Sequence, residues 1–241
     1  MSLRTLLNSM LKNSPYRIEK INPALNRHYR HRLHIGIEHI LARVLLEDEF
    51  FFVQIGANDG VRCDDSHHFI TRNKLKGIVV EPLSDMFETL SRNYAEYPQI
   101  IKVNAAIHSS KKSMTLYRIR QDADVPDWCH GIASFDKRHL LQAEHKIPNL
   151  ASFIIEEEVP CVTIAQLLEQ HGVKKLSFLQ IDTEGYDFEV IKSLDFSRWK
   201  PRVIRYECAS LSPEDNRACI ELLIEEGYQL FDDKNDIIAV Q

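Results

Sequence analysis

Phe51-Phe52-Val53-Gln54-Ile55-Gly56-Ala57-Asn58-Asp59-Gly60 joins a nearly unbroken apolar run to a loop with glycines four residues apart. A run of that kind suits a strand covered on both faces. Glycine tolerates positive φ and lets a ligand approach the backbone closely. The chain holds only eight glycines, so two in one short loop are informative. In an open α/β sheet, the loop after the first strand is where a nucleotide-like ligand sits. The spacing lacks the third glycine of GxGxxG, and Asp59 would repel a pyrophosphate at the following helix N-terminus. A ligand without phosphate fits this loop better.

Outward from this segment, short apolar runs alternate with amphipathic stretches. Strands are expected at about 50–55, 78–81, 100–103, 176–181, 203–206, 228–231 and 236–240. Helices are expected at about 64–73, 84–93, 163–171, 186–193 and 213–226. This alternation implies right-handed crossovers and a mostly parallel sheet with helices on both faces. Asp232-Asp233-Lys234-Asn235 reads as a tight turn that folds the last two strands into an antiparallel hairpin. A sheet ending in such a hairpin is not the pattern of a dinucleotide-binding dehydrogenase. Residues 109–160 break the alternation, with a strand-like Met114–Tyr117, a helix-like Asp136–His145, Pro148 and the acidic Glu156–Glu158. An insertion of this size is expected to be a lid or substrate-recognition segment.

Of the 241 residues, 44% are hydrophobic and 27% charged, which excludes bulk disorder. The net charge of −5 argues against a nucleic-acid partner. Charge is uneven: residues 1–45 carry eight Lys or Arg against two Glu, a balance of +6, which leaves −11 for the remainder. Residues 1–48 are therefore set apart as a basic helical extension, punctuated by Pro15 and Pro23, from a main domain at 49–241. Leu33, Ile37, Ile40, Leu41, Val44 and Leu45 recur at helical intervals and are expected to pack on that domain or in a homodimer contact. The five cysteines, Cys63, Cys129, Cys161, Cys208 and Cys219, form no CxxC pair. The start has no apolar signal-peptide region, and no run approaches the roughly 18 residues of a membrane span, so a cytoplasmic protein without integral membrane contact is expected.

The candidate chemistry lies at strand ends. Glu81-Pro82 closes the second strand about 20 residues beyond the glycine loop, where an acid can accept hydrogen bonds from ribose hydroxyls. The third strand runs into Asn104-Ala105-Ala106-Ile107, whose small residues let an adenine ring lie flat. A glycine loop, a ribose acid and an adenine shelf without a phosphate cradle describe S-adenosyl-L-methionine rather than NAD or ATP. After the fourth strand, Asp182 and Glu184 stand two apart, placed for general-base work, while Asp187 and Glu189 suit the start of the next helix. Glu207 is a third carboxylate at the same sheet edge. His130 in the insertion is a candidate base, Trp128 and Tyr186 are candidate sugar-stacking rings, and His28, His31 and His34 share a helical spacing without a carboxylate among them.

The pieces QIGANDG at 54–60, VVEP at 79–82, NAAI at 104–107, VPCVTIAQLLEQHG at 159–172 and FLQIDTEGYDFEVIKS at 178–193 resemble the FkbM family of S-adenosylmethionine-dependent methyltransferases. The resemblance covers roughly residues 50–240; its specific parts are the D-x-E-G stretch and the V-P-x-x-T-[IL] lead-in. It implies an α/β, Rossmann-like class I methyltransferase fold with a mostly parallel seven-stranded sheet. It also implies O-methylation of a saccharide, glycolipid or natural-product hydroxyl, leaving S-adenosylhomocysteine. By position, Gln54, Gly56, Ala57, Asn58, Asp59 and Gly60 would line the methionine and ribose end of the cofactor. Glu81 and Pro82 would meet the ribose, Asn104, Ala105 and Ala106 the adenine, and Asp182 and Glu184 the methyl group. Many members have an acid where this chain has Gln54, so Asp182 would meet the cofactor's ammonium instead; many also have Lys where this chain has Gln180. A divalent ion on Asp182, Glu184 and Glu207 is an alternative that the motifs do not call for. Two rival functions remain: a nucleotide-dependent oxidoreductase, which would need a phosphate cradle, and a catalytically silent cofactor-binding module.

Overall fold

The computed structural model describes residues 37–46, 49–62 and 64–241. The expectations for the first 36 residues, including the proline breaks, the three histidines, Leu33 and a dimer contact there, lie outside the described residues. In chain order the strands are β1 (Phe51–Ile55), β2 (Lys76–Val80), β3 (Ile100–Val103), β4 (Ala106–Ile107), β5 (Ser113–Ile119), β6 (Ala133–Ser134), β7 (Ile154–Val162), β8 (Phe178–Ile181), β9 (Val203–Glu207), β10 (Gln229–Asp233) and β11 (Asp236–Val240). The helices are α1 (Ile37–Leu45), α2 (His67–Arg72), α3 (Ser84–Asn93), α4 (Lys137–Leu141), α5 (Ile164–Gln170), α6 (Asp187–Lys192) and α7 (Pro213–Glu225).

Four of the five residues of β1 are buried, which is why its sequence shows no clean alternation. It is flanked by β2 and β8, both parallel to it. The main sheet has seven strands in the order β10-β11-β9-β8-β1-β2-β3. The chain leaves β1 through β2 and β3, then returns to β8 on the opposite flank. A crevice therefore opens beyond the strand ends between β1 and β8, the usual ligand position in such sheets. β9 to β11 and β10 to β11 are antiparallel, so the expected C-terminal hairpin is present. Its turn is shorter than the sequence suggested: only Lys234 and Asn235 lie between the strands, with Lys234 at φ +62. Buried Arg205 on β9 reaches Asp236 at 2.6 Å and Asp233 at 3.4 Å, which keeps both aspartates in the ladder.

Two apolar layers enclose the sheet. One takes Ile164, Leu167 and Leu168 of α5, Val190 and Ile191 of α6, and Ile220 and Leu223 of α7. The other takes Ile37, Leu41 and Val44 of α1, Phe69 and Ile70 of α2, and Leu90 of α3. Each such side chain contributes roughly 1.5–3 kcal/mol on burial. Thr163 and Gln166 form a reciprocal capping box that starts α5, and Ser212 with Pro213 starts α7. No helix among the described residues is long and apolar enough to cross a membrane.

The stretch that broke the alternation forms a second, four-stranded sheet in the order β4-β7-β5-β6. Met114–Tyr117 falls inside β5, and Asp136 caps α4 by accepting from the Arg138 amide at 2.9 Å. Glu156–Glu158 sits within the nine-residue β7, which the sequence reading did not assign as a strand. Pairing with β5 is what makes an acidic strand tolerable there. Buried Arg118 meets Glu157 at 3.0 Å, and the Ser113 hydroxyl donates to Glu158 at 2.7 Å. Arg118 also forks onto Asp85 of α3 at 2.8 and 2.7 Å, which fastens the insertion to the main layer.

Candidate active site

The loop after β1 closes on itself. Gly56 and Ala57 both donate their amides to the Val80 carbonyl at 3.0 Å, and Asn58 donates to Glu81 Oε2 at 2.8 Å. The Asp59 amide goes to Asn58 Oδ1 and the Gly60 amide to the Ala57 carbonyl, each at 2.8 Å. Val61 and Arg62 donate to Asp59 Oδ1 at 3.0 and 2.8 Å. Every amide from 56 to 62 thus has an acceptor within the protein, and none is left to cradle a phosphate. Gly56 is irreplaceable on two counts: its φ is +76, and a Cβ there would overlap the Asp182 carbonyl oxygen.

Three residues expected around a ligand do other work. Asp59 turns inward. Burial works to raise its pKa, but hydrogen bonds from the Arg62 and Val61 amides and the Arg62 guanidinium outweigh it and hold the carboxyl below its usual range. Gly60 packs against Leu90 and Tyr94, where a Cβ would not fit, rather than facing the cleft. Asn104 donates its side-chain amide to the carbonyls of Glu81 (2.8 Å) and Pro82 (3.0 Å), so it shapes the tip of β2 instead of flanking an open space.

A cleft opens beyond the strand ends. Gln54, Gly56, Ala57, Asn58, Glu81, Pro82, Ala105, Ala106, Asp182 and Glu184 line it, so most of the expected set converges. Glu81 is held by two backbone amides. Its Oε2 accepts from Asn58 and its Oε1 from the Leu83 amide at 2.9 Å. Burial nevertheless dominates those hydrogen bonds and pushes its pKa up to about 7.

At the far side, the turn after β8 carries the other carboxylates. Glu184 has φ +51, and its carbonyl accepts from the Ser134 hydroxyl at 2.8 Å, so the insertion holds the turn in place. Its Oε2 lies 2.8 Å from His139 Nε2, a hydrogen bond that is the leading cause of a raised His139 pKa. Asp187 is fully buried and accepts from the Thr183 hydroxyl (2.6 Å), the Thr183 amide (3.2 Å) and the Glu207 amide (3.1 Å), which makes it structural. Asp182 is exposed where it lines the cleft. Desolvation by the surrounding protein, then the charges of Glu184, Glu207, Asp187 and Asp236, raise its pKa above the usual carboxylate range. Burial followed by Glu184 likewise raises Glu207. Among the described residues, no three His, Cys, Asp or Glu side chains converge as a metal site.

Between these ends, Gln54 of β1 and Gln180 of β8 stand side by side in the parallel register and both face the cleft. Their amide nitrogens each lie 3.2 Å from the carboxylate of Asp64. The insertion roofs the site at Gly131, whose carbonyl accepts from Asn58 Nδ2 at 3.3 Å, and at Phe135. His130, expected as a base, does not line the cleft, and its Nδ1 is buried without a partner. His139 reaches Glu184 instead. Tyr186 stacks on His108 at 5.5 Å and meets Phe135 edge-on at 5.1 Å, so its ring is held within an aromatic cluster. His139 and Asp64 were missed by sequence reasoning. Two polar residues interrupting buried strands at matched register, with Asp64-x-Ser66 as a side-chain turn, was the available signal for Asp64. Nothing local marked His139.

Residues 54–230 match the family model described as the methyltransferase FkbM domain. Among solved structures, the chain is similar to methyltransferase FkbM from Methylobacillus flagellatus KT, at 14% identity and a TM-score of 0.49, over 80% of this chain and 44% of that one. It therefore spans less than half the length of that protein. A putative caffeoyl-CoA O-methyltransferase from Staphylococcus aureus is similar at 11% identity and a TM-score of 0.46, over 100% and 93% of the two chains. The N-terminal domain of human METTL16 in complex with SAH is similar at 13% and 0.44, over 98% and 80%. No curated protein matches the chain.

Proposed function

This chain belongs to the FkbM-domain methyltransferase family, and on that premise we propose that its cleft binds S-adenosyl-L-methionine and methylates a hydroxyl of a small-molecule or glycan acceptor. The observation that carries this reading is the pairing of Glu81 with a loop whose amides are all taken. An acid at the tip of β2 offers its remaining acceptor positions to a ribose, while no N–H remains for a pyrophosphate. Ala105, Ala106 and Pro82 give a flat apolar shelf beside it for adenine. The acceptor class, a saccharide, glycolipid or other natural product, follows from the family resemblance.

When bound, the cofactor supplies a methyl on a positively charged sulfonium, and its transfer to an oxygen leaves the neutral thioether S-adenosylhomocysteine. The protein's tasks are to align the acceptor, exclude water and take the hydroxyl proton. Alignment can supply about 7–11 kcal/mol of the barrier. Asp182 lines the cleft with a carboxyl whose pKa is raised above the usual carboxylate range, which makes it a stronger base. Glu184 is fixed through Oε2 by His139, with Ser210 Oγ at 3.5 Å, leaving Oε1 to orient the acceptor. Gly131 and Phe135 of the insertion close the roof. Incubating the protein with methyl-labelled cofactor and glycan or small-molecule extracts tests the proposal. Label appearing in an acceptor supports it; cofactor binding with no transfer to any hydroxyl compound would favour a silent binding module.

A further inference from the structure

Within the insertion lies a second pocket, opposite in character to the cleft. Its floor is apolar: Ile119 of β5, Leu140 of α4, and Ile147 and Leu150 beyond it, all buried. Its mouth is exposed at His145 and Lys146. Apart from the Cys129 thiol, the ionisable groups that line it are His139, His145 and Lys146, and no Asp or Glu joins them. The cleft, by contrast, is lined by Asp64, Glu81, Asp182 and Glu184 against Arg62 alone. A thin partition separates the two spaces: Gly131, Ala133 and Phe135 line the cleft, while Ile132 between them lines the second pocket. His139 belongs to both sides, since it lines the second pocket and its Nε2 lies 2.8 Å from Glu184 Oε2.

We propose that this second pocket is a binding site for a single-chain aliphatic carboxylate of the fatty-acid kind, its chain on the apolar floor and its head group at Lys146 and His145. The site lies outside the cofactor cleft, so the proposal goes beyond the methyltransferase reading. Protein interiors are close-packed, with few voids larger than a water. A pocket with an apolar floor is a poor host for water and a good one for hydrocarbon. A sugar, with hydroxyls on every side, would leave them without partners against Ile119, Ile147 and Leu150. The sign of the head group follows from the mouth. The chain carries −5 overall, yet the charged side chain at this opening is a lysine flanked by histidines. Because His139 is common to both walls, the occupant of this pocket and the D-x-E-G turn share one side chain.

Calorimetric titration with dodecanoate, hexanoate and dodecyltrimethylammonium tests this, and none of the three needs the cofactor, so the outcome is separate from that of the methyltransferase reading. Dodecanoate should bind one-to-one and at least about ten-fold more tightly than hexanoate, because each buried methylene contributes about 0.8 kcal/mol. It should also bind more tightly than dodecyltrimethylammonium, a preference that added salt narrows. Non-specific adsorption to an acidic protein would favour the cation instead. Ala143 is half-buried in the pocket wall, and Ala143→Phe fills the space and should abolish dodecanoate binding. Lys146→Glu, at the exposed mouth, should weaken dodecanoate about five-fold or more at low salt and leave hexadecane-free binding of S-adenosylhomocysteine as in the wild type. A melting curve on each variant establishes that it is folded. No binding of dodecanoate, binding of the cation as tight as that of the anion, or wild-type dodecanoate affinity in folded Ala143→Phe overturns the proposal. Should Ala143→Phe not fold, wild-type affinity in Lys146→Glu overturns it.

Discussion

Glu81 balances burial against two amide hydrogen bonds, and burial prevails, with a pKa of about 7 instead of the ordinary 4.5. Ribose hydroxyls donate to the ionised form, so affinity for S-adenosylhomocysteine should rise from about pH 6 to about pH 8, with release of a proton on binding near neutrality. Glu81→Gln should lose about 1.5–3 kcal/mol of binding and flatten that slope. Calorimetry in buffers of different ionisation heat reads the proton count, and a wild-type affinity independent of pH would contradict the assignment. The Asp182 carboxyl is raised too, by desolvation first and then by four neighbouring carboxylates. In the proposed role of general base it must be ionised to act, so turnover should have a limb that falls toward acid pH. Asp182→Asn should lower kcat by about 10²–10⁴-fold with little change in KM, and abolish that limb. Loss confined to KM would mark it as a binding group instead.

Elements meet at two places where one residue decides the outcome. The ends of β1 and β8 approach so closely at Gly56 that only glycine fits. Gly56→Ala should cost about 1–3 kcal/mol from the positive φ alone, before the overlap with Asp182 is counted. A thermal melt showing wild-type stability would contradict this. Arg118 joins β5, β7 and α3, and Arg118→Met should cost about 1.5–3 kcal/mol, seen as faster amide exchange in β5 and β7 but not in β1 or β8. The main-sheet strands were legible because buried β1, β2 and β8 leave apolar runs, broken only by Gln54 and Gln180, bounded by Gly, Pro and acids. The second sheet was less so. β7 carries three consecutive glutamates whose stability comes from Arg118 and Ser113 on another strand, and no window of sequence shows a cross-strand partner. The hairpin turn was misplaced for the same reason: Arg205, nearly thirty residues upstream, holds Asp233 and Asp236 in the ladder.

On the scale of the whole molecule, the sheet gathers at one edge residues that lie more than a hundred positions apart. Gln54, Glu81, Ala105 and Asp182 were readable as strand-end residues, because strand-end loops are where such a sheet can place chemistry. Asp59, Gly60 and Asn104 share that address yet build the loop rather than the cleft, since in a tight turn someone must accept the amides and fill the space. His139 became visible only when the insertion folded back on the D-x-E-G turn. The cleft that results is rich in carboxylates and has no open phosphate cradle in its glycine loop, so it should favour a ligand with a ribose and a positive charge over one with phosphates. The most direct test is a single calorimetric comparison of S-adenosyl-L-methionine, S-adenosylhomocysteine, NAD and ATP against the same preparation. The expected result is one-to-one binding of the first two in the micromolar range and none of the phosphate-bearing pair. Binding of NAD or ATP in the cleft, or no binding of S-adenosylhomocysteine, would contradict it.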